Sequence, residues 1–331
     1  MISALSPVVV ACAADDFFSM PLAVTAFSAL KNLSSDYRMV LYVLDGGVSS
    51  HNKAKLMRTL NAKRVEIHWI KPTSKQIEKV LLKGRASNHP ISSYYRLLLP
   101  EIIPAHVNKV IYLDSDVVVE ADLAKLWEQD LGENYLLAAQ NQVDGILLNS
   151  WHLNHSVESL DLKQYGITPE DKYLNSGVLV INLEQWRQDN IADQVLNLIA
   201  NHPDFPFPDQ DGINIVLAGK WKELDPRWNQ THVVHSFTSP QETPYAPQLY
   251  FDLIHHPFII HYTGRPKPWS KDCTHPQADR FFKYLDQTAW RGWRNNPFNF
   301  YFTLFRRSMR RLKIAVSRRI SLFSDSFFVR N

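Results

Sequence analysis

The sequence predicts an α/β fold: a mixed, largely parallel sheet with helices on both faces. Three observations predict it. Short apolar runs alternate with helix-like stretches from the N-terminus onward, the pattern of strand–helix–strand units. Acidic residues cluster where two of those runs end, as expected of a sheet that binds ligands beyond the carboxyl ends of its strands. The chain has 331 residues and 45% hydrophobic content, enough for one large domain and an appendage.

The elements follow in order. Residues 8–14 are apolar, lack a preceding basic region and meet Asp15 and Asp16 at once, so they read as a first strand and not as a signal peptide. A helix is predicted through 22–30, then a second strand over 38–44 that ends in the turn Asp45-Gly46-Gly47. A helix over 50–61 and a third strand over 64–70 come next. Residues 92–99 read as a helix that stops at Pro100. After the strand at 110–119, a further strand is expected at 176–183, with Asn175 in the turn before it. Pro203, Pro206 and Pro208 make 202–211 a loop that delivers Asp209-Gln210-Asp211 to a helix over 212–218. Residues 225–250 look irregular, and a strand at 258–260 runs into His261-Tyr262-Thr263-Gly264-Arg265-Pro266-Lys267-Pro268-Trp269.

Residues 110–119, Val-Ile-Tyr-Leu-Asp-Ser-Asp-Val-Val-Val, carry the most chemistry. Side chains two apart on a strand share a side, so Asp114 and Asp116 should project together. Two carboxylates held that close repel unless a cation lies between them. Hard oxygen ligands without nearby cysteines suit Mg²⁺ or Mn²⁺ better than zinc. Cys12 and Cys273 lie far apart, which gives no disulfide framework and no zinc spacing and fits a reducing cytosolic setting.

Several segments then combine: Ala13-Ala14-Asp15-Asp16, Ser93-Tyr94-Tyr95-Arg96-Leu97, Tyr112-Leu113-Asp114-Ser115-Asp116, Leu174-Asn175-Ser176-Gly177-Val178, Asp209-Gln210-Asp211 and His261 through Trp269. In this order, over about residues 8–275, they resemble glycosyltransferase family 8. The likeness is to its bacterial lipopolysaccharide galactosyl- and glucosyltransferases and general stress proteins. The resemblance implies a GT-A fold and retaining transfer of a hexose from UDP-galactose or UDP-glucose to a saccharide or glycolipid, with Mn²⁺ and with Mg²⁺ as the alternative. It implies Asp114, Asp116 and His261 as metal ligands, and Lys267 with Gly264 at the diphosphate. Asp15 and Ala13 match the positions that meet the nucleoside, and Ser115 lies within the same substrate site. Arg96, Asn175, Ser176 and Asp209 match positions around the sugar hydroxyls, and Gln210 the residue at the reactive face of the anomeric carbon. Asp209 and Asp211 flank Gln210, and either could stabilise positive charge on the sugar. Arg96 also reads as a structural arginine paired with an acid such as Asp116. Phe17 departs from the galactosyltransferase pattern, which has asparagine there, so no role is carried onto it.

Two other readings compete. A phosphatase of the haloacid-dehalogenase kind also puts Asp-X-Asp at a strand end, but leaves His261 through Trp269 unexplained. A non-catalytic UDP-sugar or glycan-binding protein would not need intact metal and diphosphate residues.

The catalytic domain is expected over 1–289 and a basic amphipathic helical tail over 290–331. The formal net charge of +3 is uneven: the tail holds ten Lys/Arg and one Asp, so it carries about +9, and the rest about −6. Phe298, Phe302, Phe305, Met309, Leu312, Val316, Ile320 and Phe323 recur at helical spacing, with most arginines opposite. Such a helix reads as lying on an anionic membrane surface through residues 298–323 rather than as a packed C-terminal helix. It points to a peripheral protein on the cytoplasmic face, and no nucleic-acid partner is expected.

Overall fold

The structure, a computed structural model, describes residues 5–61, 63–73, 75, 91–143, 146–150, 153, 161–296 and 299. Strands β1 (Ser6–Ala14), β2 (Tyr37–Asp45) and β3 (Val65–Ile70) pair in parallel, and β4 (Lys109–Leu113) lies parallel on the other side of β1. Helices α1 (Ser19–Asn32) and α2 (Ser50–Thr59) connect the first three. β5 (Val117–Val119) leaves this sheet, as described below. β6 (Leu136–Gln140) returns to it, while β7 (Gln142–Val143) and β8 (Ile146–Leu147) form a small hairpin. β9 (Leu174–Asn182) is antiparallel to both β4 and β6, and β10 (Trp221–Glu223) closes the edge. The order is therefore β10-β6-β9-β4-β1-β2-β3. A second sheet pairs β11 (Gln230–Thr231), β12 (Ile259–His261) and β5.

The seven-stranded sheet is covered on both faces, and its strands show it in their alternation. Val110 and Tyr112 of β4 enter one apolar cluster, and Ile111 and Leu113 enter the other. Near-continuous apolar runs in β1, β2 and β4 follow from burial on both sides. Each large apolar side chain so buried contributes about 1.5–3 kcal/mol. Contacts with the second cluster extend past the helix Ala278–Leu285 to Trp290 and Trp293. The apolar stripe expected from Phe298 to Phe323 lies outside the described residues.

Local structure departs from the sequence reading in several places. The single strand expected over 110–119 is two, β4 and β5, in different sheets, and β6, β7, β8, β10 and β11 have no counterpart in that reading. Residues Ile91–Leu98 form a 3-10 helix that passes into a short α-helix, Leu99–Ile102, so the helix does not stop at Pro100. Pro100 occupies the first turn of that α-helix, where its missing N–H leaves no intrahelical bond unmade. Asn175 is inside β9, not in the turn before it. The helix predicted from residue 212 begins at Pro208, so Asp209, Gln210 and Asp211 form its first turn. Proline at a helix start and carboxylates near the positive end of the helix dipole both favour that register.

Asp211 ties this helix to β9. It is fully buried, accepting hydrogen bonds from the Tyr173 hydroxyl and from the Phe207 backbone N–H at 2.8 Å. Burial pushes its carboxyl up to about 7, against the lowering effect of those two donors. A native value above the unfolded one means that the native state binds the extra proton between pH ~4 and ~7, so stability falls as pH rises through that window. Asp211→Asn removes the titration. We expect the melting-temperature difference, wild type minus Asp211→Asn, to fall as pH rises from about 4 to about 7 and then to level off. Thermal melts of both proteins across this range check it; parallel curves would contradict the assignment.

Candidate active site

The chain crosses from one sheet to the other at Asp114-Ser115-Asp116. β4 ends at Leu113 in the large sheet, and β5 starts at Val117 in the small one. Backbone bonds brace both ends of the crossing. The Asp114 N–H donates to the Gly177 carbonyl of β9 at 2.8 Å, and the Tyr262 N–H donates to the Asp116 carbonyl at 3.0 Å. The Ser115 hydroxyl donates to the Ala13 carbonyl at 2.6 Å, which joins this loop to the end of β1. β12 runs antiparallel to β5 with His261 opposite Val117. That register brings the imidazole over the two carboxylates.

Asp114, Asp116 and His261 each turn one ligand atom to a common point, all within 4.8 Å of one another. His261 Nε2 lies 3.4 Å from Asp116 Oδ1 and 3.7 Å from Asp114 Oδ2. Two carboxylate oxygens and one imidazole nitrogen make a donor set that fits Mn²⁺ and also accepts Mg²⁺. Gly177 makes room for the ring: a Cβ there would fall 2.1 Å from His261 Cε1.

Cationic groups surround the carboxylates. Lys267 Nζ donates to Asp116 Oδ2 and to the Tyr262 carbonyl, both at 2.5 Å. Burial alone would raise the Asp116 carboxyl, but Lys267 and His261 outweigh it and hold it well below the usual carboxylate range. Arg96 is buried and forked between two acids, with Nη2 2.8 Å from Asp114 Oδ1 and Nε 3.1 Å from Asp209 Oδ2. Burial opposes its charge, and Asp114 with its neighbours overcomes this, so the guanidinium stays protonated. The acids that Arg96 pairs with are thus Asp114 and Asp209 rather than Asp116. Its Nη1 also donates to the carbonyl and hydroxyl of Ser176.

β9 and the helix Pro208–Val216 meet beside this cluster. Gln210 Oε1 accepts from the Ser176 N–H at 2.9 Å, and its Nε2 donates to the Tyr173 hydroxyl at 3.1 Å. Asn214, one turn on, pairs with Leu174 through both its amide ends. Asp209 and Asp211 therefore part company. Asp209 meets Arg96 at the cluster, and Asp211 turns into the core, away from any sugar-stabilising position. Asp15 has a local task in this geometry: its Oδ1 accepts from the Phe17 and Phe18 N–H groups and organises the start of α1. Gly264 has φ +66, a left-handed conformation that glycine adopts without strain.

The sequence reading missed Asn229, Asn141 and Tyr173. Asn229 lies in the stretch taken as irregular, and it accepts from or donates to partners on both sides: His261 Nδ1 at 2.8 Å and Asn175 Oδ1 at 2.8 Å. Asn141 accepts from Asn175 Nδ2 at 2.9 Å. No local pattern marks an asparagine whose partners are 54 and 32 residues away.

Known proteins resemble this chain in sequence and in fold. The sequence profile described as glycosyl transferase family 8 matches residues 9–273. General stress protein A of Bacillus subtilis (strain 168) is 32% identical over 287 residues, covering 85% of this chain and 94% of the relative. A lipopolysaccharide 1,2-glucosyltransferase of Escherichia coli is 27% identical, covering 61% of this chain and 56% of the relative. Among solved structures, the galactosyltransferase LgtC in complex with donor and acceptor sugar analogues superposes with a TM-score of 0.67 at 28% identity, over 85% of this chain and 96% of that one. The mixed sheet matches the GT-A-like fold of that enzyme. The chain belongs to glycosyl transferase family 8.

Proposed function

We propose that this glycosyltransferase moves a hexose, galactose or glucose, from its UDP derivative to a saccharide or lipid-linked saccharide, with retention at the anomeric carbon and with Mn²⁺ bound. The carrying observation is the convergence of Asp114, Asp116 and His261 where β4, β5 and β12 meet. The sugar analogues bound to LgtC and the lipopolysaccharide substrate named for the Escherichia coli relative support donor and acceptor of these classes. A cation held by Asp114, Asp116 and His261 would supply Lewis-acid neutralisation of charge on the departing diphosphate.

The residues divide the remaining work. Ala13, Asp15 and Ser115 face the nucleoside side of the donor. Lys267, now paired with Asp116, exchanges that partner for a phosphate, and Gly264 lets backbone come close. Arg96, Asn175, Ser176, Asp209 and Gln210 surround the hexose. The Gln210 oxygen already accepts from the Ser176 N–H, which withdraws electron density and makes a neutral amide a still poorer nucleophile. That supports attack by the acceptor oxygen on the face from which UDP leaves, with the acceptor proton passing to the departing phosphate. The Asp209 carboxylate, oriented by Arg96, stabilises positive charge on the sugar during this step.

The basic stripe lies outside the described residues, and its role is proposed from sequence. Among the described residues no helix is long and apolar enough to cross a membrane. We take residues 298–323 to hold the enzyme on an anionic leaflet, each arginine contributing on the order of 1 kcal/mol. Lipid-linked acceptors would then be met at the surface that carries them.

Three measurements test this reading. With a panel of UDP-sugars and Mn²⁺, we expect UDP release from UDP-galactose or UDP-glucose. Asp116→Ala should lower that rate at least about a hundredfold while the protein stays folded; near-native turnover by the folded variant would remove Asp116 from the metal site. Proton NMR of the first-formed glycoside from an α-linked donor should show an α linkage, and a β product would end the retaining assignment. Deleting residues 296–331 should release the protein from anionic vesicles in a sedimentation assay while donor hydrolysis persists. Binding of the full chain should weaken as salt shortens the Debye length below about 8 Å. Equal pelleting of both forms would show that the tail is no anchor.

A further inference from the structure

We infer that Asn229 is a positioning residue that holds His261 as its Nδ1–H tautomer, and thereby turns the Nε2 lone pair toward Asp114 and Asp116. The inference rests on the metal reading above and adds to it a residue with no contact to substrate.

One donor in this network cannot be reassigned. The Gly177 backbone N–H lies 2.9 Å from Asn175 Oδ1, so that end of the Asn175 side chain must be its carbonyl oxygen. The same oxygen lies 2.8 Å from one end of the Asn229 amide. Two carbonyl oxygens at that distance would repel, so the Asn229 atom is its NH₂. The other end of Asn229, its oxygen, then faces His261 Nδ1 at 2.8 Å. An oxygen only accepts, so Nδ1 must carry hydrogen. A neutral imidazole has one N–H, and its Nε2 is left with a lone pair. A chain of three hydrogen bonds thus transmits the direction of one backbone N–H to the imidazole.

The consequence falls on the cluster. Nε2 points at Asp116 Oδ1 and Asp114 Oδ2 from 3.4 and 3.7 Å. A lone pair facing two carboxylates is unfavourable by itself and favourable only when all three share a cation. The opposite tautomer would put Nε2–H against the carboxylates and close the site as a hydrogen bond. Asn229 opposes that outcome, since its oxygen would then face the bare Nδ1. The network is built to hold this orientation: Asn229, Asn175 and His261 are 5%, 7% and 4% exposed. The far end of Asn175 is fixed as well, its Nδ2 donating to Asn141 Oδ1. Gly177 contributes twice, through its N–H and through the absence of a Cβ under the ring. Groups that orient a ligating histidine in this way commonly set metal affinity by about 10–100-fold.

Two measurements decide it. Long-range proton–nitrogen NMR of the metal-free wild-type protein at alkaline pH, with His261→Gln to identify the signals, should show a protonated Nδ1 and an unprotonated Nε2. Calorimetric titration with Mn²⁺ alone should show an affinity about 10–100-fold weaker for Asn229→Ala than for wild type. The ring spectrum of that variant should shift toward Nε2–H. An Nε2–H ring in wild type overturns the proposal, and so does unchanged Mn²⁺ affinity in folded Asn229→Ala. If Asn229→Ala does not fold, the wild-type spectrum alone decides. A wild-type protein with Nδ1–H but no Mn²⁺ binding would count against the metal reading and leave the tautomer assignment standing.

Discussion

Asp114 and Asp116 stand next to each other, largely withdrawn from water, and two such carboxylates stay ionised only if positive charge or N–H donors surround them. Much of the architecture answers that constraint. Arg96 comes from the 3-10 helix before β4 and Lys267 from the loop after β12, while His261 of β12 adds a nitrogen beside the two carboxylates. None of these is near the aspartates in sequence except through the sheets that bring them in. The passage of the chain from one sheet to another at this loop is what makes the arrangement reachable: β4 presents one side to β9, and β5 presents the other to β12.

β9 is the platform on which the remaining polar groups are fixed. It is antiparallel to both its neighbours, so its residues 174–177 open at the same edge where β4 ends. From there it binds Asp114 through the Gly177 carbonyl, Gln210 through the Ser176 N–H and Asn214 through Leu174. Backbone groups serve as the anchors and side chains as the extensions. Such a site has little reorganising to do when charge develops in it, because its dipoles are already aimed. Buried networks of this kind also leave little tolerance, since a donor or acceptor left without a partner is costly in low dielectric.

The ion pair between Lys267 and Asp116 gives the site an internal counterion. It keeps the carboxylate ionised, and so able to bind a cation, rather than protonated. Under the proposed function, Asp116 would be released to a cation as Lys267 turned to a phosphate, so the ion pair holds both groups charged until then.

Period-two burial and turn chemistry were legible along the chain. β1, β2 and β4 follow from near-continuous apolar runs, because a strand covered on both faces must be apolar throughout. The two aspartates stand out since carboxylates seldom interrupt such a run. His261 and Lys267 were found through a family likeness in the motif around them, not through their own chemistry. Pro100 shows the limit of a local rule: the sequence marks a helix boundary there, and only the surrounding packing turns it into a change of helix type. Asp209 and Asp211 show another. Two residues apart and identical in type, either could stabilise charge on the sugar as far as the sequence shows, and a helix start at Pro208 sends one to Arg96 and the other into the core. Asn229 could not be read at all, because its role consists of hydrogen bonds to residues 175 and 261. By itself the sequence determined the segments of β1 to β4, β9 and β12 and which carboxylates meet at a strand end, because those depend on near neighbours. The tertiary structure decided the pairing of each charge and the direction of each amide, because those depend on which distant backbone groups arrive within hydrogen-bond reach.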